Sequence, residues 1–174
     1  MSRKCGVIPL CLLGVAVAFA IYAVMRHDDR DPDGQGNIRA LIALNNKMIR
    51  AHGRGDLAGA ERTARKILSQ PVWRTFVPAT AVMGSVLAQK GEYVAAAAFF
   101  KAAVSGKGSA APQPVVMNDY ADTLRHLGRY AEAEVFARQA VAASGGTVLL
   151  FRQTLDEILN EAKTHKGNAK EKKT

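Results

Sequence analysis

Residues 91–103 read Gly91-Glu92-Tyr93-Val94-Ala95-Ala96-Ala97-Ala98-Phe99-Phe100-Lys101-Ala102-Ala103, and their pattern occurs twice more in the chain. A glycine is followed two residues later by an aromatic, and small residues return at Ala96 and Ala103 around Phe100. The second copy is Gly128, Tyr130, Ala133, Ala137 and Ala140. A weaker copy is Gly55, Leu57, Ala60, Ala64 and Ile67. The glycines stand 36 and 37 residues apart. A period of this length predicts stacked helical hairpins, because one hairpin cannot bury its apolar face alone.

The expected fold class is all-α. Three hairpins fill 38–146, at about 41–74, 77–110 and 114–147, and a capping helix follows at 147–163. The first helix runs from about Ile38 to His52, with Asn37 as its cap, and Gly53-Arg54-Gly55 breaks it. Asp56 caps a helix that Pro71 stops, and Trp73 and Phe76 wedge between hairpins. Pro78 opens a helix reaching Lys90, and Pro114 opens another reaching Leu127. Between them Gly106 to Gln113 forms a loop. Ser144-Gly145-Gly146 ends the sixth helix, and Thr147 caps the seventh. Val148, Phe151, Leu155, Ile158, Leu159 and Ala162 give that last helix one apolar stripe and a charged back. The Lys-rich residues 164–174 are expected to be disordered.

The spacing resembles the tetratricopeptide repeat, a helix–turn–helix unit of 34 residues. The match runs through Met83-Gly84, Leu87, Gly91, Tyr93, Ala96, Phe100 and Ala103. It runs again through Tyr120-Ala121, Leu124, Gly128, Tyr130, Ala133, Ala137 and Ala140. In the first repeat Met48 stands where a small residue is expected, and Leu57 replaces the aromatic. Gly84 is expected to face Ala96. The resemblance covers about 41–145 and implies a protein-interaction module with no enzyme activity.

It also implies a concave groove lined by the first helix of each hairpin. The register transfers Asn45, Ile49 and His52 to that surface, then Ala81, Ser85 and Ala88, then Asn118, Asp122 and Arg125. Asparagines there can bond a peptide backbone, and Arg125 can pair with a partner carboxylate. The groove does not resemble the clamp that holds acidic chaperone tails, since Ile49, Ala81 and Val82 occupy positions where that clamp needs polar residues.

Ahead of the repeats, Val7 to Met25 is an uncharged apolar run of 19 residues. As a helix it spans roughly 28 Å, close to the hydrocarbon thickness of a bilayer. A basic amino terminus of six residues precedes it, and a polar linker at 26–37 follows. The expectation is a single-pass anchor with the amino terminus in the cytoplasm and the repeats outside it, periplasmic in a bacterium. The competing reading is a signal peptide cleaved after Ala18-Phe19-Ala20, which yields a secreted protein. Gly14 and Ala18 form a small-xxx-small pair able to support weak self-association of the span.

The net charge is +9, spread along the chain: 38–148 carries 14 Lys/Arg against 7 Asp/Glu. That fits a solvated basic surface, or attraction to an acidic partner or anionic headgroups. Nucleic acid is not an expected partner, since no recognition helix or aromatic platform accompanies the charge. Cys5 and Cys11 both lie near the apolar run, so no disulfide framework is expected in the repeats. His27, His52, His126 and His165 show no ligand spacing, and no cofactor or metal is expected. The function expected is a membrane-anchored adaptor holding a protein partner in its groove, in an envelope complex. The alternative is a structural subunit working through its anchor or convex face.

Overall fold

The computed structural model describes residues 34–105 and 112–171. The apolar run at 7–25 with its Gly14/Ala18 pair, both cysteines, linker residues 26–33, loop residues 106–111 and tail residues 172–174 lie outside the described residues. Among the described residues every regular element is helical. They are α1 (Gly34–Gly53), α2 (Leu57–Leu68), a 3-10 turn (Pro71–Trp73), α3 (Val77–Gln89), α4 (Tyr93–Ser105), α5 (Pro114–His126), α6 (Tyr130–Ala143) and α7 (Leu149–Glu171). Of these, none is long and apolar enough to cross a membrane. The chain divides into two compact units between Val82 and Met83, inside α3.

Three hairpin turns are built alike. Gly55, Gly91 and Gly128 have φ of 76°, 81° and 71°. Only glycine takes this left-handed conformation without a Cβ clash. The residue after each glycine donates its N–H five residues back: Asp56 to Ala51, Glu92 to Leu87, Arg129 to Leu124, each at 2.9 Å. This satisfies carbonyls that the helix end orphans and turns the chain sharply.

In the first unit α1 packs along α2. Leu41, Met48 and Ala51 of α1 and Ala60, Ala64 and Ile67 of α2 are buried. Asp56 caps α2 as expected, its carboxylate accepting from the Gly59 N–H at 2.8 Å. Trp73 is half-buried, in the 3-10 turn that Pro71 opens.

In the second unit α4 packs on α5, α5 on α6, and α6 on α7. Three rings run through its centre: Phe100 to Tyr120 at 6.2 Å and Tyr120 to Phe136 at 4.6 Å between centroids. Ala96, Ala103, Ala121, Ala133, Ala137 and Ala140 are buried around them. Next along, Met117, Ala140 and Phe151 form a cluster lined by Val104, Val115, Val141 and Val148. The nearest atoms to a Cβ on Gly84 belong to the Phe100 ring, two of whose carbons would lie 2.9 Å away.

α7 also touches α5, and it keeps the register of the first helices. Ile158 lies 37 residues after Ala121, which lies 37 after Gly84. However, Glu157 and Glu161 stand where that spacing repeats Tyr120 and Leu124. α5 buries both of these positions, whereas α7 carries part-exposed carboxylates there.

Helix ends differ from the sequence reading at both termini. α1 starts at Gly34, so residues 34–37 of the expected linker are helical and Asn37 lies inside the helix. α7 continues to Glu171, so the residues expected to be disordered from 164 are helical as far as Glu171. In both places the existing helix extends past glycines, because propagation adds a hydrogen bond per residue without a new nucleus. Thr147 does not act as the expected side-chain cap: its hydroxyl donates to the Ser144 carbonyl at 2.8 Å.

Gly84→Ala should lower stability by about 1–3 kcal/mol, because the added methyl must push the buried Phe100 ring. Urea unfolding checks this, and Phe100→Leu in the same chain should recover part of the loss. An unchanged midpoint would show that the ring has room to yield.

Candidate functional site

The stripe expected to line a groove is more buried than its register implies. In the first unit Asn45 is 0% exposed and Ile49 9%. His52 is half-buried, and burial lowers its pKa. Ala81 is also buried. In the second unit Asn118 is 4% exposed. Asn45, Ile49, Ala81 and Asn118 are therefore not the open groove residues the register assigned. For α5 the cause is visible: it packs against α4, α6 and α7, so its buried arc takes in Asn118 as well as the apolar face.

Both asparagines are short of partners. Among the described residues, neither amide atom of Asn45 has a hydrogen-bond partner, nor does Oδ1 of Asn118. They stand 73 residues apart, at equivalent places in the first and third hairpins. Each such atom costs about 1–3 kcal/mol when left dry.

Ser85, Asp122 and Arg125 are half-buried. Gln89 Nε2 donates to Ser85 Oγ at 3.3 Å, one turn along α3. Arg125 is not held open for a partner carboxylate as expected. Its guanidinium bonds Asp122 at 2.8 Å and Glu161 at 2.6 Å, with Glu157 4.0 Å away. Burial works to lower its pKa, but hydrogen bonds to Asp122 and Glu161 and the charges of both acids together raise it. Glu157 and Glu161 did not emerge from the sequence, where they read as the solvated back of a terminal helix. The only signal was their four-residue spacing on one face of α7.

Two aromatic contacts tie successive helices. Tyr93, opening α4, stacks on His126 at the end of α5, with centroids 4.3 Å apart and planes 9° apart. Tyr130, opening α6, meets His165 of α7 at 5.7 Å, tilted by 53°. His126 therefore serves as a stacking partner, with 35% of its side chain exposed. Beside the second pair lies a cleft of about 290 Å³ lined by Gly128, Tyr130, Ala131, Glu134, Ala162 and His165. No three His, Cys, Asp or Glu side chains among the described residues group to hold a metal ion.

Asp119 adjoins this stripe. Burial pushes its pKa up to about 7, Asp122 adds repulsion, and a hydrogen bond from Asn118 opposes both. Between pH about 4 and 7 the folded chain keeps a proton that the unfolded chain has lost, so raising pH costs stability in this window. Asp119→Asn should therefore stabilise the fold at pH 8, by about 1–4 kcal/mol, and leave it unchanged near pH 3. Thermal melts across the range check this. An equal gain at both ends would assign the effect to packing.

The family model described as tetratricopeptide repeat matches residues 40–66 and 114–139. These stretches fall on α1–α2 and α5–α6, the two hairpins that carry the buried asparagines. The middle hairpin, which shows the pattern most fully to the eye, lies outside both. No curated protein matches the chain. The two matched stretches, together with the all-helical element order, support a tetratricopeptide-repeat family for this chain.

Proposed function

We propose that this chain is a membrane-anchored adaptor that holds a segment of another protein against the first helices of its hairpins. Repeats of this family serve protein–protein interaction, and that coarse role follows from the family match. The observation that carries the finer reading is the stripe Ser85, Asp122 and Arg125. Ser85 and Asp122 keep polar side chains part-exposed there, with Arg125 bonded to Asp122 behind them. A packed hairpin needs no hydrogen-bonding groups there, whereas a bound segment does.

The anchor rests on the length and apolarity of 7–25. A tether of that kind confines the repeats to a membrane surface and raises their effective concentration toward partners in the same membrane. Arg3 and Lys4 ahead of the span equal Arg26 and Arg30 behind it in number, and the amino terminus with the acidic cluster Asp28, Asp29, Asp31 and Asp33 tips the reading toward repeats outside the cytoplasm. Assembly of an envelope complex is the role that suits such a placement.

Two experiments on whole cells test these parts separately. A photo-crosslinker at Ser85 should capture one dominant protein, while a crosslinker at the exposed Arg65 should not. Capture only from Arg65 would move the function to the exposed face of α2. Arg65→Cys, in a chain with Cys5 and Cys11 changed to serine, should react with a membrane-impermeant maleimide in intact spheroplasts and sediment with membranes. Reaction only after lysis would reverse the orientation, and a soluble processed chain would establish the cleaved alternative.

A further inference from the structure

We propose that the first unit docks on an anionic lipid surface through the end of its hairpin that carries the Pro71–Trp73 turn. This rests on the membrane anchor proposed above and adds a second contact to it. The positive charge is uneven once the two units are separated. Residues 34–82 carry eight Lys/Arg against two Asp/Glu, a net +6, whereas the longer stretch 83–171 carries ten against nine. All eight cations of the first unit are exposed. Its two acids are occupied within the unit: Asp56 caps α2, and Glu61 bonds Arg65 at 2.7 Å. Among the described residues no carboxylate bonds Arg39, Arg62, Lys66 or Arg74.

The turn supplies an apolar tip among these cations. Val72 is 77% exposed, and Trp73 beside it is half-buried. Lys66 precedes this pair and Arg74 follows it. Apolar groups of this kind enter the boundary between headgroups and acyl chains, while cations around them meet lipid phosphates. The helix dipole accounts for Arg65 and Lys66 in the last turn of α2. It does not account for Arg62, one turn before Lys66, or for Arg74, beyond the helix.

The course of the hairpin carries the tip toward the anchor. α1 leaves the linker at Gly34, and α2 packs along it in the reverse direction. Counted from Gly55, Pro71 lies sixteen residues after and Arg39 sixteen before. The turn thus returns to the end of α1 at which the linker enters. Eight residues, 26–33, join that end to the apolar run, and fully extended they reach at most about 28 Å. A span at 7–25 therefore keeps this end within reach of the headgroups, where each exposed Lys or Arg strengthens surface binding about fivefold.

Trp73 is the one tryptophan in the chain, so its fluorescence reports the turn directly. The test places the full chain in vesicles of phosphatidylcholine, alone or mixed with phosphatidylglycerol, with and without brominated acyl chains. In the anionic vesicles Trp73 emission should move to shorter wavelength and be quenched by bromine, and both effects should fade as salt rises. Arg62→Gln with Lys66→Gln should lower the ratio of docked to free units about 25-fold, at about fivefold for each cation. Val72→Ser should weaken the quenching as well. Arg152→Gln with Lys163→Gln removes the same charge from the second unit and should leave the quenching unchanged. Both pairs are exposed, and neither should shift the melting temperature. Equal emission in the two lipids, or quenching indifferent to the Arg62 and Lys66 changes, overturns the proposal. An emission shift with polyglutamate and none with anionic vesicles also overturns it, in favour of an acidic protein. Carbonate extraction reads the anchor separately. A chain that resists extraction while Trp73 stays unquenched keeps the anchor and loses the docking. A chain released by carbonate whose Trp73 is quenched in anionic vesicles loses the anchor and keeps the docking, and one that shows neither loses both.

Discussion

The ring of Phe100 lies where a side chain on Gly84 would begin. That contact sets how closely the third and fourth helices can approach, and the rest of the second unit is built outward from it. Phe100 passes its position to Tyr120 and Tyr120 to Phe136, one ring from each of three successive helices. The alanines between them have the volume that remains when rings of this size meet at helix contact distance. Aromatics are scarce in this chain at 6% of residues, but three of them form the spine of one unit. Alanine elsewhere is the condition for placing them there.

Much of this was legible in the sequence, because the decisive constraints are local and repeat. A turn glycine with positive φ and a residue two positions on that opens the next helix recur at one period, and so does a small residue facing its neighbour. Each can be seen without knowing the partner. Asp56 as a cap and Pro71 as a stop are of the same kind. What escaped depends on rotation and distance. The bond from Arg125 to Glu161 joins residues 36 apart in sequence, and only the azimuth of α7 brings them together. The burial of Asn118 follows from α5 having three neighbours, whereas the register of a single hairpin counts one. The helical extension to Glu171 escaped because Gly167 and the lysines around it read as a poor helix, while the preceding turns had already supplied the nucleus.

Gly84 and the acids of α7 also explain how one repeat pattern can both continue and stop. Continuation needs a small residue where the hairpin closes, and Ala121 and Gly84 supply it. Termination needs that position filled and the next face charged. α7 does both, with Ile158 at the small-residue position and Glu157 and Glu161 on the following face. Glu161, at the position that repeats Leu124, is also the acid that bonds Arg125 at 2.6 Å.

The buried asparagines bear on which of these features serve stability and which serve recognition. At 0% and 4% exposure, Asn45 and Asn118 lie in places where an apolar residue of like size avoids the cost of dry amide atoms. Chance would place one such residue anywhere in a core. Here two occupy the same register position, in the two hairpins that match the family model. A polar group at that position costs stability in both units and contributes nothing to the aromatic spine. The two asparagines thus differ in kind from Gly84 and Phe100, whose contact sets the packing of the second unit.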